Sequence, residues 1–81
     1  METIYLDDFL SDNIIKEQYF RELVDRIDWS KYSGKRVLIK GCTTVPIPSW
    51  AYLIITAELS QYAKQVFYGE KSRKIRIFVS K

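Results

Sequence analysis

The sequence predicts a two-layer α/β sandwich with the order β-α-β-α-β-β and a small mixed sheet, and three observations carry that reading. Phe20, Leu23, Val24 and Ile27 fall at i, i+3, i+4 and i+7, one apolar stripe of an amphipathic helix. Val37-Leu38-Ile39 is a continuous apolar run, as in a strand covered on both faces. Ile75, Ile77 and Val79 alternate with Lys74, Arg76, Phe78 and Ser80, the period of a strand with two unlike faces. Strands alternating with helices bury their apolar faces by stacking a helix layer on a sheet.

Taken in order, Thr3 to Leu6 turns Ile4 and Leu6 to one side and reads as a short strand that Asp7-Asp8 ends. The helix carrying the Phe20 stripe is expected over residues 13–28, with Ser11 or Asp12 as its cap. Glu17, Arg21, Asp25 and Asp28 lie off the stripe, and Glu17 and Arg21 have the spacing of a helical ion pair. Residues 29–35 form a connection in which Gly34 marks a turn, and Arg36 to Cys42 supplies the central strand. Pro48 suits the first turn of a second helix over 48–63. Gln65 to Gly69 is the next strand, residues 69–73 a turn, and Lys74 to Ser80 the last strand. The strand–helix–strand unit across 36–69 should be parallel and right-handed. The last two strands should form a hairpin.

With 81 residues there is room for one domain, residues 1–81, that buries only about 60–65% of the surface its unfolded form exposes. Hydrophobic residues make up 47% of the chain, which sets it apart from disordered sequences and predicts that it folds. The single cysteine, Cys42, allows no disulfide within the chain. Met1-Glu2-Thr3 lacks the basic and apolar segments of a secretory signal. No apolar run approaches the roughly 20 residues of a membrane span, so a cytoplasmic setting without a membrane partner is expected. There is no histidine, which removes Ser-His-Asp and Cys-His catalysis and the commonest transition-metal ligand. Neither a catalytic residue, a metal site nor a cofactor is expected.

Charge is unevenly placed. Residues 1–40 carry seven Lys/Arg and eight Asp/Glu, whereas residues 41–81 carry six and two. Five of the later cations, Lys71, Arg73, Lys74, Arg76 and Lys81, fall in the last eleven residues. An acidic protein partner fits that bias, although lysine and arginine also guard the edges of sheets.

Two groups of residues stand out. The loop Gly41, Cys42, Thr43 and Thr44 follows the central strand and leads to the second helix. Ligands bind at that end of open α/β sheets, where amides and a helix N-terminus attract anions and lower a thiol pKa, with Lys40 nearby. The loop lacks the spacing of a P-loop or a dinucleotide fingerprint. Buried packing of an unpaired cysteine is the plainer account of Cys42. The second group lies on the second helix, whose middle is apolar almost all the way round. A helix on one face of a sheet needs one apolar stripe. The surplus therefore predicts a dimer interface at Trp50, Tyr52, Leu53, Ile54 and Tyr62. Asp7-Asp8 and Asp25/Asp28 have no partner that would divide them into acid and base.

Asp28-Trp29-Ser30, Tyr32, Gly34-Lys35, Val37, Lys40-Gly41-Cys42, Val45-Pro46, Pro48, Ala51-Tyr52, Tyr62-Ala63 and Tyr68-Gly69-Glu70 together resemble a bacterial family of unknown function. It is number 2480 among domains of unknown function, and the likeness extends to Asp8-Phe9-Leu10, Ile15-Lys16-Glu17 and Phe20-Arg21. The resemblance implies relatives of about twice this length with related motifs in both halves, of which this chain is similar to a single unit. It thereby implies a homodimer in place of the tandem arrangement, and a loose link to iron–sulfur cluster assembly. Where the family pattern would place a second cysteine after Tyr-Gly-Glu, this chain has Lys71-Ser72-Arg73-Lys74, which speaks against paired thiols in one subunit.

The leading functional expectation is a non-enzymatic, homodimeric accessory or interaction domain. Thiol or metal handling through Cys42, tied to iron–sulfur assembly, is the alternative. Nucleic-acid binding by the basic C-terminal hairpin, with Tyr68 and Phe78 as its aromatic groups, ranks third.

Overall fold

Apolar stripes decide which faces meet, and two strand–helix–strand crossovers decide the order of the sheet. The computed structural model of the chain describes residues 1–41 and 44–81. Its elements are β1 (Glu2–Tyr5), α1 (Glu17–Arg26), β2 (Arg36–Lys40), α2 (Ser49–Leu59), β3 (Gln65–Glu70) and β4 (Arg73–Val79). The strands lie side by side in sequence order, with β1–β2 and β2–β3 parallel and β3–β4 antiparallel. The fold is the mixed α/β class that the sequence predicts.

Both helices pack on one face of the sheet. Phe20 and Val24 of α1 and Ala51, Ile55 and Leu59 of α2 share one core with Ile4, Val37, Ile39 and Val66 of the strands. Successive strand residues point to opposite faces, so Leu38 and Phe67 lie on the helix-free face. An aromatic string crosses the core: Phe9 stands 5.2 Å from Phe20, and Phe20 meets Trp50 edge-on at 5.5 Å. Buried Trp29 closes the far end of α1, its indole N–H donating to the Val24 carbonyl at 3.0 Å.

The start of the chain departs from expectation in two places. β1 ends at Tyr5, and Leu6, still buried, opens a 3₁₀ turn through Phe9. Helix α1 starts at Glu17 rather than near residue 13. Asp12 and Asn13 hold left-handed φ values of 53° and 62°, while Ser11 and Ile14 exchange backbone hydrogen bonds of 2.8 and 3.1 Å. Asp and Asn tolerate that conformation, so the polar run builds a tight two-residue turn instead of a cap. Lys16 takes the N-cap position, and its side chain makes no capping bond to the helix. The Glu17–Arg21 pair does form, at 3.0 Å on the exposed face.

Two later boundaries also move. α2 stops at Leu59, and the Tyr62 and Ala63 amides fold back to the Leu59 carbonyl in a closing turn. Gly34 takes a φ of +71°, the left-handed turn its position suggested. In β4 a bulge opposite Val66 and Phe67 resets the alternation. Phe78 therefore pairs with Val66 and packs against the helix-side core, and Arg76 pairs with Phe67 on the free face. The expected grouping of Phe78 with Lys74 and Arg76 fails for that reason.

Candidate functional site

Helix α2 is the centre of the candidate site. Pro48 precedes it with φ −62°, and the Ala51 amide donates to the Pro48 carbonyl at 3.0 Å. There is no acidic residue in its first turn and no basic one in its last, so hydrophobic contact has to hold it in place. Ala51, Ile55 and Leu59 recur at i, i+4 and i+8 and are fully buried against the sheet. Leu53 stands on the opposite side and is 68% exposed.

The two flanks of α2 differ. On the α1 side, Trp50 packs on Phe20, and both Trp50 and Ile54 are half-buried against the core. On the β4 side there is no second helix. Tyr52 meets Tyr68 edge-on at 5.8 Å, and beyond them an apolar groove of about 470 Å³ runs between α2 and the sheet. Its walls are Tyr52, Leu53 and Thr56 on one side and Tyr68 and Ile77 on the other. Ile75, opposite Tyr68 in register, is 57% exposed and Ile77 41%. Leu53, Tyr68, Ile75 and Ile77 thus surround one water-facing apolar surface. Helix α2 packs on β3, and Ile75 and Ile77 on the neighbouring β4 stay exposed.

The five residues expected at an interface divide accordingly. Trp50, Tyr52 and Ile54 are half-buried within their own chain, and Leu53 projects beside the groove. Tyr62 is exposed beyond the end of the helix, where its carbonyl accepts from the Gly34 amide at 3.0 Å. The sequence reading missed the opposite wall, Tyr68, Ile75 and Ile77. A signal was present: two isoleucines on one face of a final strand, with no third helix to cover them.

The loop after β2 touches the same site through Tyr52. A Cβ at Gly41 would collide with the Tyr52 hydroxyl, so the close approach of that ring requires glycine there. Burial, followed by the Tyr68 ring and the Glu70 carboxylate nearby, pushes the Tyr52 phenol above its ordinary value of 10.0. Lys40 is directed elsewhere, its Nζ lying 3.5 Å from Glu70 and 5.8 Å from the Tyr5 ring. Thr44 is exposed, and the expectations for Cys42 and Thr43 lie outside the described residues.

Among carboxylates, Asp28 serves structure. Its Oδ1 accepts from the Ser30 hydroxyl and amide at 2.5 and 3.1 Å, capping the 3₁₀ turn of residues 29–32. Those bonds hold its pKa below the usual 3.8. Among the described residues no cluster of three His, Cys, Asp or Glu side chains stands together. No helix among them is long and apolar enough to cross a membrane.

Comparison with known proteins gives one match. The family model described as "Protein of unknown function (DUF2480)" matches residues 1–80. No curated protein and no solved structure matches the chain.

Proposed function

The chain belongs to the DUF2480 family, and from that footing we propose that it is a non-enzymatic interaction domain whose working form is a homodimer. The carrying observation is Leu53, two-thirds exposed beside a groove walled by Tyr52, Tyr68 and Ile77 and continued by Ile75. Scattered exposed apolar residues are ordinary on a monomer; a groove with a projecting leucine at its rim is an unfilled contact. A second copy offers the complement, because a two-fold axis beside Leu53 lets each copy place its leucine in the groove of the other. Edge-to-edge pairing of β4 is the poorer geometry. Arg73, Lys74 and Arg76 line that strand, and like charges facing each other across a new ladder would repel. The single cysteine suits a reducing cytoplasm as the setting.

Thermal unfolding at increasing protein concentration tests the dimer. A protein stabilised by its own association melts higher as concentration rises. Ile77→Lys puts a charge in the groove and should remove that dependence without changing the far-ultraviolet dichroism. A wild-type midpoint that does not move between about 1 and 100 µM contradicts the proposal.

A further inference from the structure

We propose that the helix-free face of the sheet is a second binding surface, and that its ligand is single-stranded nucleic acid. Three adjoining hollows on and around that face are lined by six cations, Lys35, Arg36, Lys64, Lys71, Lys74 and Arg76, and by one acid, Glu2. All six cations are exposed. The other seven cations of the chain are outnumbered by nine acids, so an overall charge of +3 hides a strongly positive face and a negative remainder. The ion pairs among the described residues, Lys16–Asp12, Arg21–Glu17 and Lys40–Glu70, involve none of the six. A concentrated, uncompensated positive surface attracts a polyanion.

The fold assembles this surface from distant parts of the sequence. The Lys64 amide donates to the Lys35 carbonyl at 2.8 Å, and the Ser80 amide to the Lys64 carbonyl at 2.8 Å. These bonds fix the start of β2, the start of β3 and the end of β4 side by side. The bulge in β4 then brings Arg76 opposite Phe67. Tyr68 and Phe78, the aromatic groups expected from the hairpin sequence, lie on the helix side and take no part.

Aromatic groups select nucleic acid over other polyanions. The Arg36 guanidinium lies 5.4 Å above the Phe67 ring centroid, and its Nε donates to Gln65 Oε1 at 3.0 Å. That bond fixes the guanidinium beside the ring while Arg36 stays exposed, so a base can stack on it, a known mode of single-strand recognition. Tyr5, 40% exposed, supplies an aromatic ring on the same face. An acidic peptide would use the cations and gain nothing from these planes.

Fluorescence anisotropy with a labelled oligothymidylate, on the full chain at low salt, tests the proposal. Binding should weaken with salt at a log–log slope of about −3 to −4, if four to six phosphates are neutralised at roughly −0.7 each. Arg36→Glu with Arg76→Glu should weaken binding at least about tenfold, whereas Lys16→Ala with Arg21→Ala should not change it. Arg36→Lys keeps the charge and loses the plane; it should cost about five- to hundredfold while the salt slope stays the same. Leu53→Ala, on the opposite side of the sheet, should bind like the parent, which separates this surface from the dimer contact. Absence of binding at low salt overturns the inference. Equal binding of polyglutamate, tighter binding of duplex DNA, or an Arg36→Lys protein that binds like the parent overturns it too.

Discussion

Replacing Leu53 by alanine separates folding from association. A fully buried leucine contributes about 1.5–3 kcal/mol relative to an exposed one, and 68% of this side chain is still outside the protomer. Seating it in a partner's groove would therefore recover about 1–2 kcal/mol per copy. A two-fold interface repeats the contact, giving about 2–4 kcal/mol in all. Leu53→Ala should accordingly raise the dimer Kd by about 30- to 1000-fold. The same change removes little from the protomer's core, so its intrinsic stability should shift by no more than about 0.5 kcal/mol. Sedimentation velocity across a dilution series gives the first quantity. Urea unfolding at a concentration where both proteins are dissociated gives the second. An unchanged Kd refutes the placement of Leu53 in the contact. A loss of about 2 kcal/mol or more from the isolated protomer refutes the claim that its own chain leaves it uncovered.

Three further predictions concern the fold itself. Gly41→Ala should cost about 1–3 kcal/mol in urea unfolding, because the new methyl meets the Tyr52 hydroxyl, and Tyr52→Phe in the same chain should restore part of it. The Tyr52 phenol, raised by burial, should ionise later than free tyrosine when phenolate absorbance is followed into alkali. Its folded pKa exceeds its unfolded value, so its stabilising contribution is complete below pH 10.0 and falls away as pH rises through the folded value. Tyr52→Phe should remove that part of the alkaline loss, and an identical pH profile would contradict it. Asn13 holds φ 62°, so Asn13→Val should destabilise by about 1 kcal/mol or more while Asn13→Gly is tolerated; equal effects in thermal melts would contradict the turn.

Most of the fold was legible in the sequence because each element carries a periodic apolar signal. Phe20 and Val24 are buried on α1 with Leu23 and Ile27 beside them, and Val37-Leu38-Ile39 is the fully buried stretch of β2. What escaped depends on backbone geometry rather than on pattern. Asp and Asn serve both caps and left-handed turns, so Asp12-Asn13 read as a helix start. A bulge adds one residue without altering composition, so Phe78 came out on the wrong face while Arg76 stayed on the face with Lys74. The candidate surface on α2 was half legible. Excess apolarity pointed to the helix, but only tertiary placement shows that Trp50 packs on Phe20 of α1 and Ile54 is half-buried against the core while Leu53 faces Ile77 across a groove. The basic face was less legible still, since Lys35, Arg36 and Lys64 lie far in sequence from Arg76 and meet only through strand pairing.

Sedimentation equilibrium of the unmodified chain at tens of micromolar tests most directly whether residues around Leu53 and Ile77 are covered by a second copy. Association predicts a weight-average mass approaching twice the 9.6 kDa of one chain and declining on dilution. A single species of 9.6 kDa throughout would contradict it.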